Sequence, residues 1–163
     1  MICETELKQQ LNNAECSLKA SGTRLTVHRK RLLGLLNCSP KPLSAYEITD
    51  LFNAIYNEHV IANSVYRTLN DLIAARLAHR LNTINKYVAR RRFEKADETT
   101  FPLFTICREC LYVEEQQAPD ELVNAAFNNT MSESFQQITP QLELTGLCSS
   151  CYEQKNRELQ NDV

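Results

Sequence analysis

Ser64-Val-Tyr-Arg-Thr-Leu-Asn-Asp-Leu72 is the stretch from which the rest of this chain can be interpreted. On a helix, Arg67 and Asn70 fall on the face opposite the apolar residues, with Asn63 close to them. A guanidinium and carboxamides are groups that read base edges in a DNA major groove. The stretch therefore predicts an amphipathic reading helix, capped at its start by Asn63 or Ser64. Its apolar stripe consists of Val65, Leu69, Leu72 and Ile73.

The length and apolar content of the chain suit one or two small domains with buried cores, since it has 163 residues. The sequence contains no run of 18 apolar residues, and its N-terminus lacks the charged-then-apolar pattern of a signal peptide. We therefore expect a cytoplasmic protein that does not contact a membrane.

Charge is distributed unevenly along the chain, although the formal net charge is only −2. Residues 1–93 hold 14 Lys and Arg against 7 Asp and Glu, whereas residues 94–163 hold 4 against 13. Phosphate attraction depends on local charge rather than on the charge of the whole chain. A basic half followed by an acidic half indicates a nucleic-acid-binding domain joined to a second domain with a different role.

The basic half contains the signals of three helices before the reading helix. Apolar spacing predicts one helix over residues 4–20 and a second from a cap at Thr26 to about Leu36. The capping box Ser44-Ala-Tyr-Glu47 begins the third. Its expected buried stripe consists of Ile48, Leu51, Phe52 and Ile55.

The segments around the reading helix complete a winged helix-turn-helix. A short loop over residues 56–62 joins it to the third helix, which gives the order helix, turn, helix. After it, residues 77–81 and 86–89 predict two short strands joined by an Asn-rich turn. This hairpin is interpreted as the wing.

Basic side chains gather around the start of the second helix: Arg24, His28, Arg29, Lys30 and Arg31. They could serve solubility alone or contact the phosphates of DNA. Their position beside the reading helix in the sequence favours the phosphate contact.

The second half of the chain follows a polar, aperiodic segment, residues 90–98, which we interpret as a hinge. Pro119 suits the first position of a helix that extends to about Met131, and a short polar helix closes the chain. Three strands are predicted, over residues 101–106, 111–115 and 141–145.

Two Cys-x-x-Cys pairs, Cys107 with Cys110 and Cys148 with Cys151, follow predicted strands. Each pair can turn two thiolates toward one ion, and two pairs close a tetrahedral sulfur site that suits structural zinc, one ion per chain. A redox-active pair and an iron–sulfur site are the alternatives, although no βαβ pattern surrounds either pair. No role is assigned to the other cysteines, Cys3, Cys16 and Cys38.

Catalytic motifs are absent from the sequence, so we expect no enzyme. There is no G-x-S-x-G, no HExxH and no Gly-rich phosphate loop, and the chain has only three glycines. The three histidines, His28, His59 and His79, are widely spaced and are interpreted as structural or surface residues.

Four elements occur in this order: Arg24-Leu-Thr26, Ser44-Ala-Tyr46, Ser64-Val-Tyr-Arg-Thr-Leu69 and the paired Cys-x-x-Cys motifs. Together they resemble the ferric uptake regulator (Fur) superfamily, most closely its zinc uptake (Zur) branch. The resemblance covers roughly residues 20–152. It implies a homodimeric winged-helix repressor that binds double-stranded DNA at a pseudo-palindromic operator. It also implies base contacts by Tyr46, Tyr66 and Arg67 and a minor-groove contact by Arg24.

The chain departs from the family at the regulatory metal site. The resemblance implies a sensor built from a wing histidine, a cysteine at the end of the wing, a hinge histidine and a glutamate after the first Cys-x-x-Cys. His79 and Glu115 match two of these positions, whereas Arg90 stands at the cysteine and Glu98 stands near the hinge histidine. We therefore expect a remnant sensor site with weakened or absent metal sensing.

Three interpretations of the arginine-rich hinge, Arg90 to Arg92, stay open. The arginines could bridge nearby carboxylates and replace the sensed ion as a positive centre. They could instead touch DNA phosphates, or His79, Glu115 and hinge acids could form a remodelled oxygen-rich metal site.

The sequence thus predicts an α+β chain with a winged helix-turn-helix domain over residues 1–89, a hinge over 90–98 and an α/β dimerisation domain with the zinc site over 99–163. The predicted function is sequence-specific repression of transcription, with base contacts extended to Asn63 and Ser64. The alternative is a protein-interaction module that kept this fold and lost specific DNA binding.

Overall fold

The chain folds into two compact units, Met1–Phe93 and Glu94–Val163. The computed structural model describes residues 26–91, 101–128 and 141–161. The helix predicted over residues 4–20 and most of the predicted hinge lie outside these ranges. No helix within them is both long and apolar enough to cross a membrane.

Helices and strands alternate in blocks, as expected for an α+β chain. The elements of the first unit are α1 (Val27–Cys38), α2 (Ala45–Tyr56), α3 (Ala62–Ala74), β1 (Ala78–Leu81) and β2 (Lys86–Ala89). Those of the second are β3 (Pro102–Cys107), β4 (Val113–Gln117), α4 (Asp120–Asn128), β5 (Leu142–Gly146) and α5 (Ser149–Asn161).

Side-chain caps begin α1 and α2 where the sequence predicts them. The Thr26 side chain accepts a hydrogen bond from the Arg29 backbone N–H at 3.3 Å. At α2, the Glu47 N–H donates to Ser44 Oγ at 3.2 Å, and the Ser44 N–H donates to Glu47 Oε2 at 2.6 Å. Both halves of the capping box are therefore present, and both predicted caps are confirmed.

The start of α3 differs from the prediction, because neither Asn63 nor Ser64 caps it. Ile61 occupies the cap position in an extended conformation and makes no side-chain cap hydrogen bond. The preceding turn sets this start, since the Asn53 amide donates to the Val60 carbonyl at 3.0 Å and accepts from its N–H at 2.8 Å. Asn63 and Ser64 consequently lie inside the first turn of the helix.

The core of the first unit lies among α1, α2, α3 and the hairpin. The stripe predicted for α2 is only half right: Ile48 and Phe52 are fully buried, but Leu51 is 40% and Ile55 is 58% exposed. The buried face is rotated toward Ala45 and Thr49, because α1 and α3 cover that side of the helix. The main buried residues of this core are Leu32, Leu33, Leu36, Ile48, Phe52, Val65, Leu69, Leu72, Leu77 and Tyr87.

The hairpin of the first unit is tied to the start of α2. Strands β1 and β2 pair antiparallel, with Ala78 opposite Ala89 and Leu81 opposite Lys86. Leu43 adds a bridge on the other side of β2, since its N–H donates to the Tyr87 carbonyl at 3.0 Å and its carbonyl accepts from the Tyr87 N–H at 2.7 Å. The segment before α2 therefore extends the predicted wing on the β2 side, one residue from its turn.

The second unit is built on a three-stranded sheet in the order β4-β3-β5. Strand β3 pairs antiparallel with β4 and parallel with β5, so the chain crosses over between β4 and β5, and α4 lies in that connection. Strand β4 begins two residues later than predicted. The turn at Cys107–Cys110 extends through Leu111, whose backbone is left-handed, and Tyr112 closes it by accepting the Cys107 N–H.

An ion pair between α2 and the wing predicts a pH dependence of stability. Lys86 Nζ lies 2.7 Å from Glu47 Oε2, and this contact, with the Ser44 backbone, lowers the pKa of Glu47 to about 2. Since folding lowers this pKa, the ionised carboxylate stabilises the fold above about pH 5 and loses that effect as the pH falls toward 2. The Glu47 side chain is half-exposed, so we expect at most about 1 kcal/mol.

The test is chemical unfolding of wild type and Glu47→Gln between pH 7 and pH 2.5. The stability difference should be largest at pH 7 and shrink steadily below about pH 5, to a small fraction of its value at pH 2.5. Asp50→Asn is the matched control, because Asp50 is exposed on the same helix and forms no ion pair with any described residue. A difference for Glu47→Gln that is constant with pH would contradict the assignment.

Candidate DNA-binding surface and metal centre

The exposed face of α3 carries three polar side chains, Asn63, Arg67 and Asn70. On the opposite face Val65, Leu69 and Leu72 are completely buried, which confirms the predicted amphipathic helix. None of the three polar side chains makes a hydrogen bond or ion pair with the described part of the chain. This face therefore offers a guanidinium and two amides to an outside ligand.

Two tyrosines extend this face toward the start of α2. Tyr46 is 66% exposed and meets Tyr66 edge-on, with 6.4 Å between the ring centroids. Tyr66 is half-buried and packs against the core of the unit. The α3 surface is defined as the following six residues: Tyr46, Asn63, Ser64, Tyr66, Arg67 and Asn70.

Two arginines of the basic cluster are engaged inside the first unit. Arg29 Nη2 lies 2.5 Å from Asp71 Oδ2 and joins α1 to α3. Arg31 Nη1 lies 2.5 Å from Glu58 Oε1, and its guanidinium carbon lies 4.5 Å from the centre of the Tyr56 ring. These arginines bind the helices to one another, a role that the sequence did not indicate. Arg24, the minor-groove candidate, lies outside the described residues.

The candidate residues of the remnant sensor site are spread over the chain. His79 is half-buried on β1 in the first unit, and Glu115 is half-buried on β4 in the second, opposite Phe104. Glu98 lies outside the described residues. Arg90 donates from Nη1 to the Arg76 carbonyl at 3.5 Å, within its own unit. A shared site for His79, Glu98 and Glu115 therefore stays a prediction.

The four cysteines of the paired motifs form one cluster in the second unit. Their sulfur atoms all lie within 4.8 Å of one another, and Cys110 Sγ is 3.7 Å from Cys148 Sγ. A tetrahedral zinc with sulfur at about 2.3 Å places neighbouring sulfurs about 3.8 Å apart. Among the described residues, this is the one group of three or more Cys, His, Asp or Glu arranged to share an ion.

The sheet topology explains why these cysteines meet. Strands β3 and β5 are parallel neighbours with Cys107 in register with Gly146, so both Cys-x-x-Cys motifs follow the same end of the sheet. The Arg108 N–H donates to the Gly146 carbonyl at 2.9 Å and joins the two turns. The second motif enters α5, where Cys151 lies in the first turn.

The electrostatics of the cluster suit a cation at its centre. Hydrogen bonds from the backbone of Cys110 and Cys148 lower the pKa of Cys107 to about 6. Hydrogen bonding to the Cys148 and Cys110 thiols instead raises the pKa of Cys151 to about 12. Crowded thiols thus resist full ionisation by themselves, and a dication would favour four thiolates. With four sulfur ligands, a tetrahedral ion would keep no open position.

Comparison with known proteins agrees with this architecture. The sequence profile of the ferric uptake regulator family matches residues 20–145. The zinc uptake regulation protein of Escherichia coli (strain K12) is 26% identical over 150 residues, which cover 92% of this chain and 85% of the relative. The corresponding protein of Shigella flexneri matches to the same extent.

Two solved structures resemble this chain over most of its length. A zinc uptake regulator complexed with zinc and DNA superposes with a TM-score of 0.80 at 25% identity, covering 92% of this chain and 97% of the other. Holo XcZur superposes with a TM-score of 0.70 at 29% identity, covering 85% and 94% respectively.

The cysteine cluster predicts one tightly held zinc ion per chain. Replacing Cys107 by Ser should lower the zinc content well below one per chain and destabilise the second unit, because the ion joins β3 to the turn after β5. Metal analysis of the purified, dialysed protein together with thermal unfolding measures both effects.

Cys38→Ser is the matched control, since Cys38 is an exposed free thiol in the other unit. It should leave the zinc content unchanged. A folded wild-type protein that contains no zinc would show that the cluster does not bind this metal.

Proposed function

Because this chain belongs to the ferric uptake regulator family, we propose that it is a sequence-specific DNA-binding regulator, a cytoplasmic homodimeric repressor of the zinc uptake type. The observation that carries the proposal is the α3 surface, where a fully buried stripe turns Arg67 and two amides outward from a helix-turn-helix with a wing. The similarity to a zinc uptake regulator complexed with zinc and DNA supports it over 92% of the chain.

The proposed contacts divide between base edges and the backbone of DNA. Arg67 reads a guanine through its fork of N–H donors, and Tyr46 and Tyr66 supply ring surface and hydroxyls beside it. Asn63 and Ser64 contact the same groove from the first turn of α3. Arg24 reaches the minor groove. A two-fold dimer would repeat these contacts on a pseudo-palindromic, A·T-rich operator.

The cysteine cluster has a structural role in this proposal. Cys107, Cys110, Cys148 and Cys151 hold one zinc ion per chain and leave no position for a substrate. The ion would fix the end of the sheet in the second unit, which is the proposed dimerisation domain. A zinc ion with four sulfur ligands would stabilise the fold, and the proposed function assigns it no catalytic role.

DNA binding is further proposed to need no sensed metal ion. His79 and Glu115 match two sensor positions, Glu98 stands near a third, and Arg90 replaces the cysteine. Two ligands do not form a tight tetrahedral zinc site. The arginine-rich hinge, Arg90 to Arg92, is proposed to supply the fixed positive charge instead.

The first functional prediction concerns Arg67. Selection from random DNA duplexes with wild-type protein should enrich one pseudo-palindromic sequence, and binding to it should weaken steeply with salt. Arg67→Ala should cost about 1–3 kcal/mol and relax one base position in each half-site.

Arg67→Lys separates base reading from charge. It keeps the positive charge but loses the planar fork, so the salt dependence should persist while the base preference is lost. Failure of the wild type to enrich any sequence at any salt concentration would favour the interaction-module alternative.

The second functional prediction concerns metal dependence. A chelator that leaves the structural zinc in place should not change operator affinity. Arg90→Ala should weaken binding with little change in salt slope if the arginine replaces the ion, whereas a phosphate contact would reduce that slope by about one. A tenfold gain in affinity on adding zinc, iron or manganese to zinc-loaded protein would refute metal-independent binding.

A further inference from the structure

Asn63 differs from the other amide of the α3 surface in its position along the helix. It lies in the first turn of α3, whereas Asn70 lies two turns further on. Both are exposed, and neither makes a hydrogen bond with the described residues. In helix-turn-helix proteins, base edges are contacted chiefly by the N-terminal residues of the recognition helix. Its position on the helix therefore favours Asn63 over Asn70 as the amide that contacts a base edge.

Arg67 follows Asn63 by one helical turn on the same face. The four intervening rises separate the two residues by about 6 Å along the helix axis. Successive bases along a DNA strand are about 3.4 Å apart. For a helix lying along the groove, the two side chains would therefore meet bases about two steps apart.

The charges around this face permit close approach to DNA. Asp71 is the one acidic residue in α3, and its carboxylate is paired with Arg29 at 2.5 Å. Glu47, next to Tyr46, is similarly paired with Lys86 at 2.7 Å. Two carboxylates near the α3 surface are thus paired, whereas Asp50, one turn after Tyr46 on α2, is exposed and forms no ion pair with the described residues. Arg67 supplies the positive charge of the face.

The chemistry of a carboxamide selects one base. It carries one acceptor oxygen and an NH₂ donor, which match the N6 donor and N7 acceptor on the major-groove edge of adenine. Guanine offers two acceptors on that edge and cytosine a donor alone, so neither matches both groups of the amide. We infer that Asn63 is a specificity-determining residue that reads an adenine about two base steps from the guanine read by Arg67. This inference rests on the proposed function and adds the identity of one base.

The test is a base-resolved binding profile of the full-length, zinc-loaded protein, obtained by selection from random duplexes. Wild type should require adenine at one position near the guanine assigned by Arg67→Ala. Asn63→Ala should reduce discrimination at that position about 5- to 100-fold and leave the salt slope unchanged. Asn63→Asp should change the preferred base there to cytosine, since a carboxylate accepts from cytosine N4.

Gln116→Ala is the matched control, because it removes an exposed amide from β4 of the second unit, outside the α3 surface. It should retain the adenine preference that Asn63→Ala loses. A structural defect would instead weaken binding to all duplexes equally. An unchanged adenine preference in Asn63→Ala, with a specific wild-type profile, would overturn this inference alone. A wild type without any specific profile would overturn the proposed function, and the inference with it.

Discussion

The burial of one stripe of α3 determines how the first unit presents its polar side chains. Val65, Leu69 and Leu72 are completely buried among α1, α2 and the root of the hairpin. Each such side chain contributes about 1.5–3 kcal/mol, so a rotation of α3 that exposed the stripe would cost several kcal/mol. Because the helix cannot turn about its axis, Arg67 and its neighbouring amides are held outward. The proposed base contacts depend on this packing more than on any hydrogen bond within the surface.

The ion pairs of the first unit change its electrostatic field, because each places a basic side chain against a carboxylate and offsets its negative charge. Arg29 neutralises Asp71, Arg31 neutralises Glu58 and Lys86 neutralises Glu47. Partly exposed pairs of this kind add little to stability. Their larger effect is that Asp71 and Glu47, being paired, repel phosphates less than free carboxylates would. A count of basic residues overestimates the number of cations available to DNA, since some of them serve this internal purpose.

The second unit reaches its cysteine cluster through strand register. Parallel pairing of β3 with β5 places Cys107 beside Gly146, so two motifs separated by almost 40 residues follow the same edge of the sheet. Short sulfur–sulfur distances and crowded thiols then make the cluster suited to a dication. A zinc ion there would join a central strand to an edge strand and to α5. Small sheets benefit from such a link because they bury little apolar surface.

Local signals in the sequence determined much of this protein. The caps at Thr26 and Ser44, the stripe of α3 and the spacing of the cysteines depend on residues three or four positions apart, so no distant contact is needed to predict them. Tertiary contacts decided the rest. The Asn53–Val60 hydrogen bonds fix the turn before α3, which begins at Ala62. Because α1 and α3 pack on the other side of α2, Leu51 and Ile55 are exposed. The pairing of Arg29 with Asp71 joins residues 42 positions apart, and only the folded chain brings such partners together.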